Sequence, residues 1–447
     1  MTRTPLSWLG IVRLGLVQTA LGAVVVLTTS TLNRVMVVEL ALPAMLPGAL
    51  VALHYAVQVM RPRLGYGSDV GGRRTPWIVG GMAVLAMGGV GAALATAWMA
   101  TNPWAGIALA VLSFLLIGLG VGSAGTTLLV LLAKRVAEQR RAAAATIVWV
   151  MMIVGFIVTT AAAGHFLDPF SQVRLVTVAA VVSALALTVT VLAVWGIESS
   201  DAPAQMPGDG PKNSFRIAFS EVWADRRARR FAVFVFVSML AYSAQDLILE
   251  PFAGAVFGLT PGESTKLSSV QHGGVLVGMV LVALAGSAVG GARIGSLPAW
   301  TIGGCIASAA ALLSLASAGM VGPAFPLRST VFVLGVANGA YAIAAIGSMM
   351  ALAGAGRASR EGVRMGLWGA AQAIAFGLGG FAGTLVSDLA RHVSGSPATA
   401  YAIVFSGEAV LFLAAAVLAV RVHGGVPVQT SPRFARGEPL IQDASRG

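Results

Sequence analysis

Long apolar runs, separated by short polar segments, recur along the whole chain. Each run reaches roughly 20 residues, the length at which an α-helix crosses the hydrocarbon core of a bilayer. A helix satisfies its own backbone hydrogen bonds, which lipid cannot do for it. The pattern therefore predicts an all-α polytopic membrane protein. We predict twelve transmembrane helices, over residues 8–32, 42–61, 76–100, 104–133, 142–166, 173–197, 230–257, 265–290, 297–320, 325–355, 362–388 and 398–421.

The longest internal polar interruption follows the sixth run and divides the helices into two sets of six. We predict an N-terminal half over 1–198 and a cytoplasmic linker over 199–229 that carries a basic amphipathic segment. A C-terminal half follows over 230–423, and the polar residues 424–447 form a disordered cytoplasmic tail. Two similar halves packed face to face are an architecture that secondary transporters use.

The basic residues are distributed unevenly between the connections. The chain has 29 Lys and Arg residues, and 24 of them fall on one side of the membrane if the N-terminus is cytoplasmic. The other five fall on the opposite side: Arg34, Arg174, Lys266, Arg328 and Arg391. By the positive-inside rule, both termini are then cytoplasmic. The net charge of +12 is thus explained by topology, without a nucleic-acid partner. One cysteine, Cys305, gives no disulfide framework.

The connection after the second run has a regular pattern of glycine, aspartate and arginine. Gly65 is followed at fixed spacing by Asp69, Gly72, Arg73 and Arg74. This pattern resembles the loop signature of the major facilitator superfamily and implies a major-facilitator-like fold. Glycine lets backbones approach closely, and the aspartate can accept hydrogen bonds from helix N-terminal amides. The alternative is a plain basic turn at the cytoplasmic surface.

Two further blocks carry a second, more specific resemblance. The seventh run contains Gln245-Asp246 followed by Glu250-Pro251, and the eleventh contains the Gly-rich segment 365–380. Both closely resemble signatures of the PucC/LhaA family, the bacteriochlorophyll delivery family of light-harvesting complex assembly proteins. The resemblance spans nearly the whole chain. It implies a non-enzymatic assembly factor in the bacterial inner (intracytoplasmic) membrane, which holds or delivers (bacterio)chlorophyll to nascent antenna subunits.

This resemblance also implies a cargo and partners. The cargo would be bacteriochlorophyll a or a biosynthetic precursor, and the partners would be antenna polypeptides and membrane lipids, with chlorophyll synthase as a further candidate. The alternative is a major-facilitator secondary transporter of a small molecule. The first six runs hold no acidic residue well inside the bilayer, which favours the assembly factor over a proton-coupled carrier. An enzyme of pigment synthesis is disfavoured, because the sequence has no nucleotide loop or nucleophile constellation.

Asp246 and Glu250 lie four residues apart, so on a helix they share one face. Three interpretations stay open. The pair braces a helix end broken at Pro251, contacts the pigment together with Gln245, or carries a proton as in coupled transporters. Lys266 is the nearest basic residue in sequence that could pair with either carboxylate across the outer loop. Glu408, in the twelfth run, has no obvious partner.

The pigment carries magnesium, which prefers oxygen or nitrogen ligands. His54, His165 and His272 are the candidate ligands, and the alternative for each is a hydrogen-bonded structural role. The Gly-rich faces of the eighth and eleventh runs offer a flat surface for the ring, or else close helix packing. Gln372, in the eleventh run, is a pigment-contact or coupling candidate, or an interhelical hydrogen-bond donor.

Overall fold

The computed structural model describes residues 6–58, 73–137, 140–198, 223–285, 296–354 and 361–423. These residues form α-helices and no strand. The helices are α1 (Trp8–Glu39), α2 (Met45–Val57), α3 (Thr75–Met99), α4 (Pro103–Arg135), α5 (Arg141–Phe166), α6 (Gln172–Val194), α7 (Arg226–Phe257), α8 (Pro261–Ala285), α9 (Leu297–Val321), α10 (Leu327–Gly354), α11 (Glu361–Ser394) and α12 (Pro397–His423). Within the described ranges, eleven are long and apolar enough to span a membrane, and α2 is shorter. The predicted all-α polytopic fold is confirmed.

Side chains with local hydrogen-bonding capacity begin several helices. Asn102 accepts from the backbone N–H of Ala105 at the start of α4, and Ser171 accepts from that of Arg174 at the start of α6. Asp225 does the same for the first turn of α7. Each satisfies a donor that the first helical turn leaves without a partner. α7 therefore begins at Arg226, and the last four residues of the predicted linker are helical.

Each half has its own apolar core. One cluster of buried side chains joins α1 to α6 and also includes Leu247 of α7, and a second joins α7 to α12. The halves meet mainly where α2 crosses α11 and where α5 crosses α8. We call the end where α6 finishes and α7 begins the linker end, and the other the opposite end. The exact domain boundaries stay a prediction.

At the opposite end the two halves approach backbone to backbone. A Cβ atom added to Gly164 of α5 would lie 2.6 Å from the carbonyl oxygen of Gly262 in α8. Only glycine permits this spacing. On the other side of the bundle, the Asp388 carboxylate accepts from the backbone N–H groups of Ala44 (2.9 Å) and Met45 (2.7 Å). These contacts hold the halves together at the opposite end.

The first helix is longer than predicted. It continues past residue 32 to Glu39 through two π-helical segments, Leu27–Thr31 and Val35–Glu39. The predicted end at 32 is wrong, because no proline stops the helix between residue 32 and Pro43. The placement of Arg34 in a connection is wrong for the same reason. Arg34 lies inside the bundle with 2% of its surface exposed.

Candidate functional site

The seventh helix does not break at Pro251, so that part of the prediction is wrong. α7 continues through Pro251 to Phe257 and ends at Gly258, whose φ of 67° suits a helix C-terminus. Proline has no N–H, so the carbonyl of Leu247, four residues earlier, loses its helical donor. Asn33 of α1 replaces it, with its Nδ2 donating to the Leu247 oxygen at 2.6 Å. The Leu247 carbonyl of the C-terminal half thus accepts its hydrogen bond from a side chain of the N-terminal half.

Glu250 lies one turn beyond Asp246 and is 1% exposed. Ser268 of α8 donates its hydroxyl to Oε1 at 2.5 Å, and Thr265 donates to Oε2 at 3.4 Å. Thr265 in turn shares a hydrogen bond of 3.2 Å with Thr31 of α1. Hydrogen bonds to a buried carboxylate compensate for the water it has lost. Glu250 therefore joins α7 and α8 and is linked to α1.

Arg34 is the basic residue beside Glu250, and the two side chains interact electrostatically. Its Nη1 donates to Glu39 at 2.5 Å, and its Nη2 donates to the carbonyl oxygen of Leu259 at 2.6 Å. The guanidinium lies over Gly254, where a Cβ would come within 2.9 Å of Nη2. The predicted pairing with Lys266 is replaced by Arg34, since Lys266 packs against Gly164 of α5.

We call these residues the interhalf cluster: Thr31, Asn33, Arg34, Glu250, Thr265 and Ser268. It connects α1 of one half to α7 and α8 of the other. A cavity of about 650 Å³ opens beside it and is lined in part by Arg34, Glu39, Asp168 and Glu263. Sequence reasoning missed Asn33 and Arg34. The sequence signal for them was that the polar residues Asn33 and Arg34 are followed directly by the four apolar residues 35–38, with no proline or glycine to end the helix.

Gln245 and Asp246 interact with residues outside this cluster. Gln245 is 1% exposed and accepts from Asn338 of α10 at 2.8 Å. Asn338 accepts from Ser308 of α9 at 2.8 Å, so a polar chain crosses the C-terminal half. Asn338 is thus an interhelical hydrogen-bonding residue. Asp246 is half-buried and interacts electrostatically with Glu408 of α12.

The three candidate histidines differ in accessibility. His54 is 2% exposed and hydrogen-bonds through Nε2 to Gln58 at 2.9 Å. His272 is 6% exposed, and its Nδ1 lies 2.7 Å from the carbonyl oxygen of Ser268, which requires Nδ1 to be the donor. His165 is exposed near the end of α5. Of the three, His165 is the one that a bulky molecule could reach from outside the bundle.

The Gly-rich faces serve mainly for close packing of helices. Gly274 and Gly278 of α8 lie against the backbone of α10, and Gly379 of α11 lies against α7. Added Cβ atoms there would meet backbone atoms of the neighbouring helix. A Cβ at Gly273 or Gly369 would meet nothing within 4 Å. Gln372 is half-buried on α11, and its role as a pigment or coupling residue stays a prediction.

The glycine–aspartate–arginine loop is described only at its end. Gly65, Asp69 and Gly72 lie outside the described residues. Arg73 is exposed, and the backbone N–H groups of Arg74 and Thr75 each donate to Glu198 at 2.7 Å. Glu198 thus occupies the start of α3, where a helix favours an acidic group. In the described part of the chain, no group of three or more His, Cys, Asp or Glu residues could hold a metal ion.

A protein-family profile described as "PUCC protein" matches residues 31–425, which include the interhalf cluster and Glu408. The chain belongs to the PUCC protein family. It is 52% identical to the "Bacteriochlorophyll synthase 44.5 kDa chain" of Rhodobacter capsulatus, over 97% of this chain and 100% of that protein. It is 30% identical to "Protein PucC" of Rhodovulum sulfidophilum, over 87% of this chain and 86% of the relative.

Solved structures of transporters share the fold of this PUCC-family chain. A mutant of the nucleoside transporter NupG superposes with a TM-score of 0.68 at 14% identity, covering 93% of this chain and 100% of NupG. A bacterial homologue of the lysosomal transporter Spinster, in an inward-facing and unoccupied conformation, gives 0.66 at 16% identity, covering 93% and 95%. At such identities the likeness concerns the fold alone, and it is the major-facilitator-like fold that the loop motif implied.

Proposed function

We propose that this chain serves the bacteriochlorophyll and light-harvesting pathway as an antenna assembly factor. It would hold or deliver (bacterio)chlorophyll, or a biosynthetic precursor, to nascent antenna subunits. The observation that carries the proposal is the 52% identity, over the full length of the relative, to a protein named as a bacteriochlorophyll synthase chain. The match to the PUCC family supports it. Handing over a bound pigment forms and breaks no covalent bond, so the proposed role is not enzymatic.

His165 is the best-placed residue to hold the pigment. Its imidazole is exposed, and so are Ala161 and Ala162 one turn earlier on α5. Small side chains beside a nitrogen donor leave room for a flat macrocycle whose magnesium takes a nitrogen or oxygen ligand. His54 and His272 are almost completely buried and already hydrogen-bonded. A macrocycle could reach them only if the surrounding helices separated.

The outer surface of the bundle supports a membrane-embedded partner. Val158 (61% exposed) and Phe166 (64%) lie on the same helix as His165. Their apolar surfaces suit contact with lipid or with a transmembrane helix of another polypeptide. We expect antenna polypeptides there, with chlorophyll synthase as a further candidate partner. We also propose the bacterial inner membrane as the location, with both termini in the cytoplasm, because of the predicted distribution of basic residues.

The test is purification of the tagged full-length chain from phototrophic membranes in mild detergent, followed by absorption spectroscopy and identification of co-purified polypeptides. We expect bacteriochlorin absorption and antenna polypeptides in the eluate. His165→Leu should reduce the pigment-to-protein ratio several-fold, because leucine offers magnesium no ligand atom. His392→Leu is the matched control, since His392 is also exposed near a helix end but on α11. A colourless eluate without antenna polypeptides would overturn the proposal.

The alternative function is secondary transport of a small molecule. It is favoured by halves that are joined at the opposite end, as alternating access requires in one of its states. Reconstitution into vesicles distinguishes the two functions. Accumulation of a solute by pigment-free protein, with normal antenna levels in a deletion strain, would support transport.

A further inference from the structure

The start of α7 carries an unusual concentration of exposed positive charge. We call it the arginine face: Arg226, Arg227, Arg229 and Arg230, all of them exposed. The N-terminus of a helix disfavours positive charge, because its free backbone N–H groups are themselves partly positive. The first turn of α7 contains no acidic residue, and Asp225, whose carboxylate caps the helix, offsets at most one of the four charges. This end of α7 therefore favours a negatively charged partner.

The arginine face is directed away from the helix bundle. At about 100° per residue, the four arginines lie within an arc of about 160° around the helix axis. Ala228 and Phe231, on the opposite side of α7, are buried. Trp368 of α11 donates its Nε1 hydrogen to the Ala228 carbonyl at 3.2 Å, and its ring lies 4.9 Å from that of Phe231. Packing on α11 thus fixes the start of α7 with its arginines on the outside.

The length of α7 brings the arginine face to the level of the lipid headgroups. The helix has 32 residues. At a rise of about 1.5 Å per residue it is about 48 Å long, whereas the hydrocarbon core of a bilayer is about 30 Å thick. The ends of α7 therefore extend beyond the hydrocarbon. Trp223, which is 43% exposed, lies just before the helix, and tryptophan is enriched where a membrane meets water.

The arginine face continues directly into exposed apolar surface. Val233 follows Arg229 by four residues and Arg230 by three, so it lies on the same side of α7, and it is 41% exposed. A phospholipid presents chemical groups in the same order, with a phosphate next to its acyl chains. Guanidinium groups pair with phosphate through two parallel hydrogen bonds. A free phosphate or an acidic protein segment would use the arginines alone, so the apolar continuation favours a lipid.

We propose that the start of α7 binds an anionic phospholipid, with its phosphate on the arginine face and its acyl chains along Val233. A zwitterionic lipid fits less well, because its own cationic group would face the arginines. The positive-inside rule calls for basic residues at this end of the bundle, but it does not require them to share one side of a helix. The site is independent of the proposed pigment role, since His165 lies near the opposite end of the bundle.

The test is a binding titration of the purified, delipidated full-length protein in detergent with fluorescently labelled phosphatidylglycerol, and with labelled phosphatidylcholine for comparison. We expect the anionic lipid to bind preferentially, and more weakly as the salt concentration rises. The double change Arg229→Gln and Arg230→Gln should weaken its binding roughly thirtyfold, since each basic residue near an anionic lipid surface contributes about fivefold.

The matched control removes the same charge elsewhere at the linker end. Arg73 lies just before α3 and Arg421 near the end of α12, and both are exposed. The double change Arg73→Gln and Arg421→Gln should leave the affinity for phosphatidylglycerol almost unchanged. Size-exclusion chromatography and circular dichroism establish that each variant is folded. If the change at Arg229 and Arg230 prevents folding, Arg226→Gln with Arg227→Gln replaces it, with the same expected loss.

Four outcomes would overturn the proposal. Phosphatidylcholine binds as tightly as phosphatidylglycerol, or the variants of the arginine face bind phosphatidylglycerol as the wild type does. The control variant loses as much affinity as they do, which would assign the binding to the overall charge of this end. Inorganic phosphate or an acidic peptide displaces the labelled lipid as effectively as unlabelled phosphatidylglycerol, which would assign the site to a free anion or to a protein partner.

Discussion

Glu250 and Glu408 lie in the same half of the molecule and are buried to nearly the same extent, 1% and 3% exposed. Glu250 accepts two hydroxyl hydrogen bonds and has an arginine from the other half beside it. Glu408 has an aspartate for a neighbour and no hydrogen bond within the described residues. Burial alone therefore does not define what a membrane carboxylate does. Its partners make Glu250 a structural link between helices, whereas the Glu408 carboxylate has no hydrogen-bond partner among the described residues.

The largest effect is expected from Arg34→Ala. The change leaves Glu250 without its neighbouring charge and removes the hydrogen bond to Leu259. The change also removes the ion pair between Arg34 and Glu39. Removing one partner of a buried ion pair costs roughly 3 kcal/mol or more. We expect a loss near the lower end of this range, because the Glu39 side chain is 33% exposed. Detergent-titration unfolding measures this loss. Arg328→Ala, at an exposed arginine, is the control and should change stability little.

A smaller effect is expected from Asn33→Ala, which leaves the Leu247 carbonyl buried without a donor. The cost of such a group is about 2 kcal/mol. Pro251→Ala restores the helical N–H that this carbonyl lacks, so Asn33→Ala should cost much less in that background. A double-mutant cycle of unfolding free energies measures the coupling. Additive effects would show that Asn33 does not compensate for Pro251.

A still smaller effect is expected from Glu250→Gln, and Glu408→Gln is the comparison for it. Glu250→Gln removes the charge that faces Arg34 and weakens two hydrogen bonds, at a cost of roughly 1.5 kcal/mol. Glu408→Gln should leave the unfolding free energy unchanged or raise it, because a neutral amide costs less to bury without a partner than a carboxylate does. In cells, Glu250→Gln should lower antenna levels while the protein still inserts into the membrane, as immunoblots of membrane fractions can show. Equal destabilisation by both changes would remove the distinction between the sites.

The smallest effect is expected from Thr265→Val. The hydroxyl makes two long hydrogen bonds, 3.2 Å to Thr31 and 3.4 Å to Glu250. Because both bonds are long, the loss should be about 0.5 kcal/mol, and the similar shape of valine preserves the packing. Ser268→Ala, which removes the 2.5 Å bond to Glu250, should cost more. A reversed order in the two unfolding midpoints would argue against Ser268 as the principal partner.

Helix number and type could be predicted because each apolar run is long and continuous, and hydropathy reports that directly. The end of α1 could not be predicted in this way. Hydropathy averaged over a window falls at the polar residues Asn33 and Arg34, so by that measure the apolar run ends there. In the structure both residues are helical, and their side chains donate hydrogen bonds to Leu247, Leu259 and Glu39. Those partners lie up to 225 residues away in the chain. Local sequence contains no record of such contacts.

The candidate site could be predicted only in part, because contacts between residues far apart in the chain are not visible in the local sequence. The sequence placed Asp246 and Glu250 on one helix, but four residues on α7 lead to two different environments, since Glu250 faces α8 and Asp246 interacts with α12. Proline signalled a helix end, yet a donor from the other half kept the helix intact. The histidines could not be ranked, because accessibility depends on how α5 packs rather than on its composition.

The two π-helical turns in α1 change how its faces relate to its sequence. Each wide turn takes one more residue than an α-helical turn, so every later side chain is set back by up to about 100° around the axis relative to a continuous α-helix. Arg34 and Asn33 lie after the first of these turns. A relative with the same residues here but a continuous α-helix would present a different side chain to Glu250. To compare residues of this helix between relatives, the angular position of each side chain around the helix axis is needed as well as the sequence alignment.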